Sequence, residues 1–306
     1  MGPVNSQVVK SRHSIVSTKE LAKQLFRDPV SGKAAGAYEL RKDVHPKLKI
    51  LDSSEGGAGC LGGFEKTAIP TARLLNLQDN LKDTTTGLPN SFPTPEIVRD
   101  VLGEIGIEKD DKIVVYNQPG KFSGATRAHF ILSRYGFDAW VLDGGLRKYM
   151  TDGYPTEEGK VYTGEKTNIK GLTDPRDSIA FFDEIKEFEQ GKKKDMQVID
   201  LRPAFGFNGE DPEPFQGCRQ GSVKGSINIE YKNFFNEDST FINTEQLKEL
   251  FMRYNLDTKK HTIFMCKTGM LATIGALVAG SDIPSKLPFE KIQLYDGSWS
   301  EYGSLN

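Results

Sequence analysis

Short apolar runs alternate with segments of helical periodicity along most of the chain. The run Thr262–Met265 has the composition of a buried strand. After Cys266, apolar residues recur at the spacing of a helix, and these are Met270, Leu271, Ile274, Leu277 and Val278. The pattern therefore predicts a strand, a turn that carries Cys266, and a helix.

The hydrophobic pattern occurs twice, with an offset of about 150 residues. Each copy contains an apolar strand ending on an aspartate, a turn leading into another strand, and an amphipathic helix followed by a buried strand. The matching segments are KILDSS (Lys49–Ser54) with QVIDLR (Gln197–Arg202), AIPTARLLNL (Ala68–Leu77) with SVKGSINIEY (Ser222–Tyr231), TPEIVRDVLGEIGIEKDDKIVVYN (Thr94–Asn117) with NTEQLKELFMRYNLDTKKHTIFMC (Asn243–Cys266), and VLDGGLRKY (Val141–Tyr149) with QLYDGSWSEY (Gln293–Tyr302). Because the four pairs keep the same order, the chain is predicted to be a tandem duplication.

The alternation of strands and helices predicts the fold class. Buried strands separated by helical segments indicate an α/β protein, in which each half is a mostly parallel sheet flanked by helices. We expect an N-terminal domain over residues 14–155, a linker over 156–180 that is rich in Gly, Thr, Pro and charge, and a C-terminal domain over 181–302. One active site is expected in a cleft between the halves, because Asn117 occupies in the first half the place of Cys266 in the second.

Composition narrows the expected partners. The 306 residues carry a net charge of −2, which argues against a nucleic-acid or anionic-membrane surface and favours small molecules or proteins as partners. No apolar stretch approaches the roughly 20 residues that span a bilayer. Three cysteines cannot all pair, so we expect a reducing compartment and a free thiol. A cytoplasmic location is predicted, with a mitochondrial one as the alternative, because no acid precedes Glu20 in a basic N-terminus.

The residues around Cys266 are typical of an anion-binding turn. Free backbone N–H groups and a helix N-terminus favour an anion and lower a thiol pKa, so Cys266 is predicted to be a nucleophile with a pKa below the ordinary cysteine value. Lys267 adds a cation, and Gly269 lets the backbone curl around the sulfur. The alternative is that Cys266 is a small buried hydrophobic residue of the core.

These segments resemble the tandem-rhodanese sulfurtransferases, the family of thiosulfate and 3-mercaptopyruvate sulfurtransferases, of which this chain is a divergent member. The motifs are VLDGGLRKY, DLRPAFGFNGEDPEP (Asp200–Pro214), the Cys266 loop and YDGSW (Tyr295–Trp299), and the resemblance spans about Ser14 to Tyr302. It implies two rhodanese-like domains. It also implies transfer of a sulfane sulfur from thiosulfate or 3-mercaptopyruvate to a thiol or cyanide acceptor through a Cys266 persulfide, with no cofactor. A thioredoxin-like reductant is a further expected partner.

The resemblance also assigns a persulfide loop. It consists of Lys267, Thr268, Gly269, Met270 and Leu271, whose amides would stabilise the persulfide. The cationic Lys267 follows the style of the thiosulfate branch of the family, so it is expected to attract anionic donors.

The chain departs from the mercaptopyruvate branch in its donor-binding residues. Two arginines of that branch are replaced here by Gly206 and Phe215, and the positions of its proton relay hold Asn90 and Gln78. The loss of the arginines removes bidentate clamps for a carboxylate donor. Arg202 and Arg219 are candidates for supplying the missing positive charge, and the alternative for Arg202 is a structural ion pair with Asp200.

Several further residues have two interpretations. Arg127 is either a structural ion-pair residue or a contact across the cleft, and Trp299 is either a core aromatic or a wall of the pocket. Cys218 is either a bystander or a second thiol that approaches Cys266. Cys60 is expected on a mobile glycine-rich loop without chemistry, and no metal site is predicted because the histidines and cysteines lack ligand spacing.

Two other functions are alternatives for the same residues. A non-catalytic or sulfur-carrier protein would retain the fold while donor recognition decays, as the four departures suggest. A cysteine phosphatase of this fold would need an arginine six residues after the cysteine, where Ala272 stands. The sequence therefore favours the sulfurtransferase, with the carrier as the alternative.

Overall fold

The computed structural model describes residues 14–27, 38–53, 58–280 and 289–305, with only the backbone described for residues 58–61. Within these residues the first half contains seven strands and five helices. The strands are β1 (Ile15–Val16), β2 (Phe26–Arg27), β3 (Glu39–Leu40), β4 (Leu48–Asp52), β5 (Arg73–Leu74), β6 (Lys112–Tyr116) and β7 (Asp138–Leu142). The helices are α1 (Thr18–Leu25), α2 (Ala58–Lys66), α3 (Pro95–Glu104), α4 (Gly124–Arg134) and α5 (Gly145–Thr151).

The second half has five strands, five α-helices and a short 3₁₀ helix among its described residues, with another 3₁₀ turn at Arg176–Ser178 before it. The strands are β8 (Ile179–Ala180), β9 (Met196–Asp200), β10 (Ile227–Asn228), β11 (His261–Met265) and β12 (Lys291–Tyr295). The helices are α6 (Phe182–Glu189), α7 (Ala204–Asn208), the 3₁₀ helix Tyr231–Phe234, α8 (Thr244–Arg253), α9 (Ala272–Gly280) and α10 (Ser298–Leu305).

Two five-stranded parallel sheets have the same strand order. The first runs β1-β7-β6-β4-β5, and the second runs β8-β12-β11-β9-β10 when read in the matching direction. The predicted α/β class and tandem architecture are confirmed. Strands β2 and β3 form a separate antiparallel pair.

The duplication extends to single hydrogen bonds. Leu75 N donates to Asp52 O over 2.7 Å, and in the second domain Ile229 N donates to Asp200 O over 3.0 Å. Both aspartates end a central strand and are fully buried. The repeat therefore preserves the carboxyl edge of each sheet, where the turn with Cys266 lies.

Local sequence explains the helix starts. Ser17 caps α1 in a box with Glu20, and Asn243 caps α8 in the same way with Gln246. Thr94 caps α3, and Pro95 follows at the first helical position. These capped helices are amphipathic and cover the sheets, whereas α9 is almost entirely buried between the domains.

The domain contacts involve both cores. Met270 and Leu277 of the second domain pack into an apolar cluster of the first, and Phe130 of the first packs into a cluster of the second. Thr126 and Thr273 join α4 to α9 through hydroxyl oxygens 2.8 Å apart. The two domains thus share a packed interface beside the Cys266 turn.

The structure refines two expectations about the chain path. Ile179 and Ala180, which the predicted linker 156–180 includes, form β8 and pair with β12. Cys60 lies in α2, so the expected mobile loop is wrong for the described backbone, and its side chain lies outside the described residues. No helix among the described residues is both long and apolar enough to cross a membrane.

Candidate active site

Cys266 lies on the turn between β11 and α9, as predicted. The backbone N–H groups of Thr268, Gly269 and Ala272 are directed at its thiol. Such a ring of donors stabilises negative charge on the sulfur once the charge forms. The turn can therefore act as a cradle for a thiolate or a persulfide.

The N-terminal end of α10 holds this turn in place. Cys266 N donates to Ser298 Oγ over 3.2 Å, and Cys266 O accepts from Trp299 N over 3.0 Å. Lys267 O accepts from Ser300 N over 2.8 Å. Trp299 is fully buried, so its prediction as a core aromatic is confirmed.

Gly269 provides the tightest bend of the loop. Its φ is +77°, and a Cβ atom at this position would lie 2.6 Å from the backbone oxygen of Asp296. A side chain here would meet both an unfavourable backbone region and a steric clash. The expectation that the backbone needs glycine at this place is therefore supported by geometry.

Burial, however, changes the expected acidity of the thiol. Cys266 is 1% exposed, and burial raises the pKa of its thiol above the ordinary value, while the three backbone N–H groups act in the opposite direction. The nearby Asp200 also raises this pKa. This direction is opposite to the predicted low pKa, because the prediction included the amides but not the loss of solvent.

The ammonium group of Lys267 pairs with a carboxylate from another segment. Its Nζ lies 3.0 Å from Oε2 of Glu213, whose side chain is 2% exposed. A neighbouring buried carboxylate therefore offsets the lysine charge, and the predicted attraction of anionic donors by Lys267 stays a prediction.

Arg202 is a buried ion-pair residue. Its Nη2 lies 2.8 Å from Oδ2 of Asp200, and its guanidinium lies over the ring of Trp299, 4.6 Å from the centroid. The side chain is 1% exposed. This placement favours the structural alternative over substrate binding for Arg202.

Arg219 stacks on the rings of Trp299 and Tyr302. Its guanidinium is 4.6 Å from the Trp299 ring centroid and 5.9 Å from that of Tyr302. Among the described residues it forms no ion pair, so its charge remains available near Trp299. Its predicted role in substrate binding stays a prediction.

A cavity of about 700 Å³ opens between the domains beside the loop. Phe92 and Tyr135 line it from the first domain, and Phe215 and Asp296 line it from the second. Neither Cys266 nor residues 267–271 line this cavity, so the predicted active-site cleft stays a prediction. Phe215, at one of the departed arginine positions, makes its wall apolar.

Arg127 connects the first domain to the Cys266 loop across this interface. Its Nη1 forms a 2.8 Å ion pair with Asp296 and donates to the Gly269 carbonyl over 3.3 Å. Its Nη2 donates to the carbonyl of Asn90 over 2.6 Å. Both interpretations of Arg127 hold, because it is a buried ion pair and also a contact across the cleft.

Comparison with known proteins identifies the family. The family model described as a rhodanese-like domain matches residues 36–152 and, a second time, residues 184–305. The chain belongs to the rhodanese-like family. More specifically, it is a tandem-rhodanese protein of the thiosulfate/3-mercaptopyruvate sulfurtransferase group, as the resemblance of its motifs implied.

Curated relatives of this tandem-rhodanese protein extend over most of its length. It is 30% identical over 293 residues to the 3-mercaptopyruvate sulfurtransferase of Mus musculus, an alignment that covers 92% of this chain and 93% of the relative. It is also 30% identical over 266 residues to that of Escherichia coli strain K12, with 85% and 90% covered. The crystal structure of SseA from Escherichia coli shares the fold, with a TM-score of 0.74, 24% identity, and 94% and 99% covered.

The two rhodanese-like domains differ at the position of the nucleophile. In the first domain Asn117 replaces the cysteine, and its Oδ1 accepts from Ala125 N over 2.7 Å. The Asn117 side chain therefore satisfies an amide at the start of α4. At this equivalent turn position the second domain has a thiol and the first has an amide.

Cys218 lies beside α10, outside the Cys266 loop. Cys218 packs against α10, with Sγ 3.6 Å from Trp299 O, and burial raises the pKa of its thiol. Its expected approach to Cys266 stays a prediction.

Among the described residues one acidic group, Glu108 with Asp110 and Asp111, has its carboxylates close together, but Lys47 and Lys49 pair with it.

Sequence reasoning missed Glu213 and Asp296. Both lie inside motifs that carried the family resemblance, DPEP and YDGSW, yet neither motif shows which cation the carboxylate meets. A lysine directly after a cysteine on a buried strand end favours a carboxylate partner, and this was the available signal.

Proposed function

We propose that this protein is a sulfurtransferase that moves a sulfane sulfur atom through a persulfide on Cys266. The observation that carries the proposal is the ring of three backbone N–H groups around the Cys266 thiol, at a position where the first domain has Asn117. The names of the relatives support the same class of reaction. Small-molecule donors and acceptors follow from that class.

The proposed reaction has two covalent steps. The Cys266 thiolate attacks the outer sulfur of thiosulfate, a new S–S bond forms, and sulfite leaves with the electron pair of the broken bond. A thiolate or cyanide then attacks the outer sulfur of the persulfide. This step releases a persulfide or thiocyanate and regenerates the Cys266 thiolate.

The loop amides act on the charged species of both steps. Backbone donors at Thr268, Gly269 and Ala272 stabilise negative charge on the sulfur without reorganisation, because α9 and α10 fix the turn. Burial opposes formation of the first thiolate, and the backbone N–H groups act against this effect.

Donor choice follows from the two positions that hold arginines in the mercaptopyruvate branch of the family. Gly206 has open space where a side chain would begin, and Phe215 presents an aromatic ring to the cavity. Since neither residue binds a carboxylate, 3-mercaptopyruvate loses two charge-assisted contacts of roughly 1.5–3 kcal/mol each. We expect poor turnover of 3-mercaptopyruvate and modest turnover of thiosulfate.

Steady-state rates with both donors and cyanide test the proposed function. We expect thiosulfate to support turnover that a Cys266→Ser variant loses entirely. A Cys218→Ser variant is the matched control and should keep most of the rate. Equal rates in the wild type and in Cys266→Ser would contradict the proposal.

A sulfur carrier without turnover is the second candidate, favoured by the complete burial of Cys266 and the neutralised Lys267. A carrier would hold one sulfur atom on Cys266 but would not release it to cyanide or a small thiol. The thioredoxin-like reductant and the cytoplasmic or mitochondrial location also stay predictions.

A further inference from the structure

Glu213 is a buried carboxylate beside the Cys266 loop. Its Oε2 lies 3.0 Å from Lys267 Nζ, and its Oε1 lies 3.6 Å from Arg202 Nη1. The side chain is 2% exposed, and within the described ranges neither oxygen accepts a well-aligned hydrogen bond. Two cations therefore hold this carboxylate.

Of the two cations, Lys267 is the one whose charge Glu213 cancels. Arg202 is engaged by Asp200 through Nε and Nη2, and by the carbonyls of Gly206 and Gly221. The Lys267 side chain is 27% exposed, and no carboxylate of the described residues other than Glu213 pairs with it. The neutralised lysine thus faces partly toward solvent at the edge of the loop.

The loop has no second cation of its own. Residues 268–271 are uncharged, and the two positions that hold arginines in the mercaptopyruvate branch hold Gly206 and Phe215 here. An anionic donor that approaches Cys266 therefore meets a lysine already paired with a carboxylate. Like charge beside the binding position opposes anions, whereas an uncharged donor meets no such penalty.

We infer that Glu213 is a specificity-determining residue, whose carboxylate cancels the charge of Lys267 and disfavours anionic sulfur donors relative to uncharged sulfane-sulfur compounds. The inference rests on the proposed function, since it concerns the donor of the same site. It predicts a simple charge rule. Donor affinity follows the summed charge of the residues at positions 213 and 267.

Isothermal titration calorimetry with sodium thiosulfate tests this rule at low ionic strength. All variants are made in a Cys266→Ser background, which binds the donor but cannot react with it. We expect Glu213→Gln to bind thiosulfate about tenfold more tightly and Lys267→Gln about tenfold more weakly. The double variant restores a neutral pair, so its affinity should return to within about threefold of the parent.

The control is Glu210→Gln, which removes an exposed carboxylate from the same segment and should leave the affinity unchanged. The affinity changes in Glu213→Gln and in Lys267→Gln should both become smaller at high salt, because screening weakens charge effects. If Glu213→Gln does not fold, the double variant compared with Lys267→Gln still measures the effect of Glu213. Unchanged affinity in Glu213→Gln, or a double variant as weak as Lys267→Gln, would overturn the inference.

The design separates this inference from the proposed function. Calorimetry on the unreactive background reports donor binding alone, whereas turnover in proteins that keep Cys266 reports the chemistry. A missing turnover with the predicted order of affinities contradicts the proposed function and supports the role of Glu213. Turnover without the predicted order of affinities supports the proposed function and contradicts the role of Glu213.

Discussion

The Cys266 thiol is subject to two opposing effects. Its loop amides favour the thiolate, while its burial favours the neutral thiol, and burial is the larger effect on its pKa. Since the protonated form persists to higher pH, alkylation should rise through a midpoint above the ordinary cysteine pKa of about 8.5. Rates of iodoacetamide labelling, resolved by peptide mass spectrometry from about pH 6 to about pH 10, measure this midpoint. A midpoint at or below about 8.5 would contradict the structural explanation.

Gly269 and Gly120 form a matched pair, because each lies three residues after the equivalent turn position of its domain. Both have a positive φ, +77° and +79°, but a Cβ at Gly120 would meet no atom within 4 Å. Alanine costs roughly 1–2 kcal/mol of backbone strain at either site. At Gly269 it also clashes with Asp296 O, so we expect a larger loss of unfolding free energy and more than tenfold slower sulfur transfer. Denaturant unfolding and steady-state rates compare the two variants, and equal effects would refute the role of the close contact.

Helix α4 carries a buried histidine, His129. Burial and the nearby Arg134 lower the pKa of His129 to about 3, whereas in the unfolded chain it is about 6.5. As pH falls below about 6.5, the unfolded chain binds a proton that the folded protein does not, so stability decreases until about pH 3. Between about pH 6.5 and pH 5 this linkage amounts to ~2 kcal/mol. We expect His129→Gln to remove that part of the pH dependence, as measured by urea unfolding. The same slope in both proteins would show that His129 already carries a proton when folded.

Whole elements were predictable where pattern and burial coincide. Strands β4 and β9 were predicted from an apolar run ending on Asp52 or Asp200, because both faces of a central parallel strand are buried. Helix α2 was missed because its glycines weaken helical propensity, which the surrounding structure overrides. The turn at Cys266 was predictable for the same local reasons as the strands.

The charges around the turn could not be predicted in this way. Lys267 meets Glu213 only because the segment after α7 folds back onto the loop, and that path depends on contacts far apart in sequence. The burial of Cys266 likewise depends on how α9 and α10 pack around it. Residue types at the site were therefore visible in the sequence, whereas their pairing and solvation were not.

At the scale of the whole molecule, one buried ion pair links the domains and the active-site loop. Arg127→Met would leave Asp296 without its cation in a mostly buried position, which typically costs about 3–5 kcal/mol. Adding Asp296→Asn should recover part of this loss, since the second change removes the unpaired charge. Guanidinium unfolding of both single variants and the double variant measures the coupling. Additive losses would contradict a direct interaction across the interface.

The central claim is that Cys266 forms a persulfide and transfers its outer sulfur. Intact mass spectrometry after incubation with thiosulfate tests this claim most directly, with peptide mapping to locate the adduct. We predict a mass increase of one sulfur atom on Cys266, absent from the Cys266→Ser variant and removed on addition of cyanide. No adduct on Cys266, or an adduct that cyanide leaves in place, would contradict the proposed sulfurtransferase mechanism.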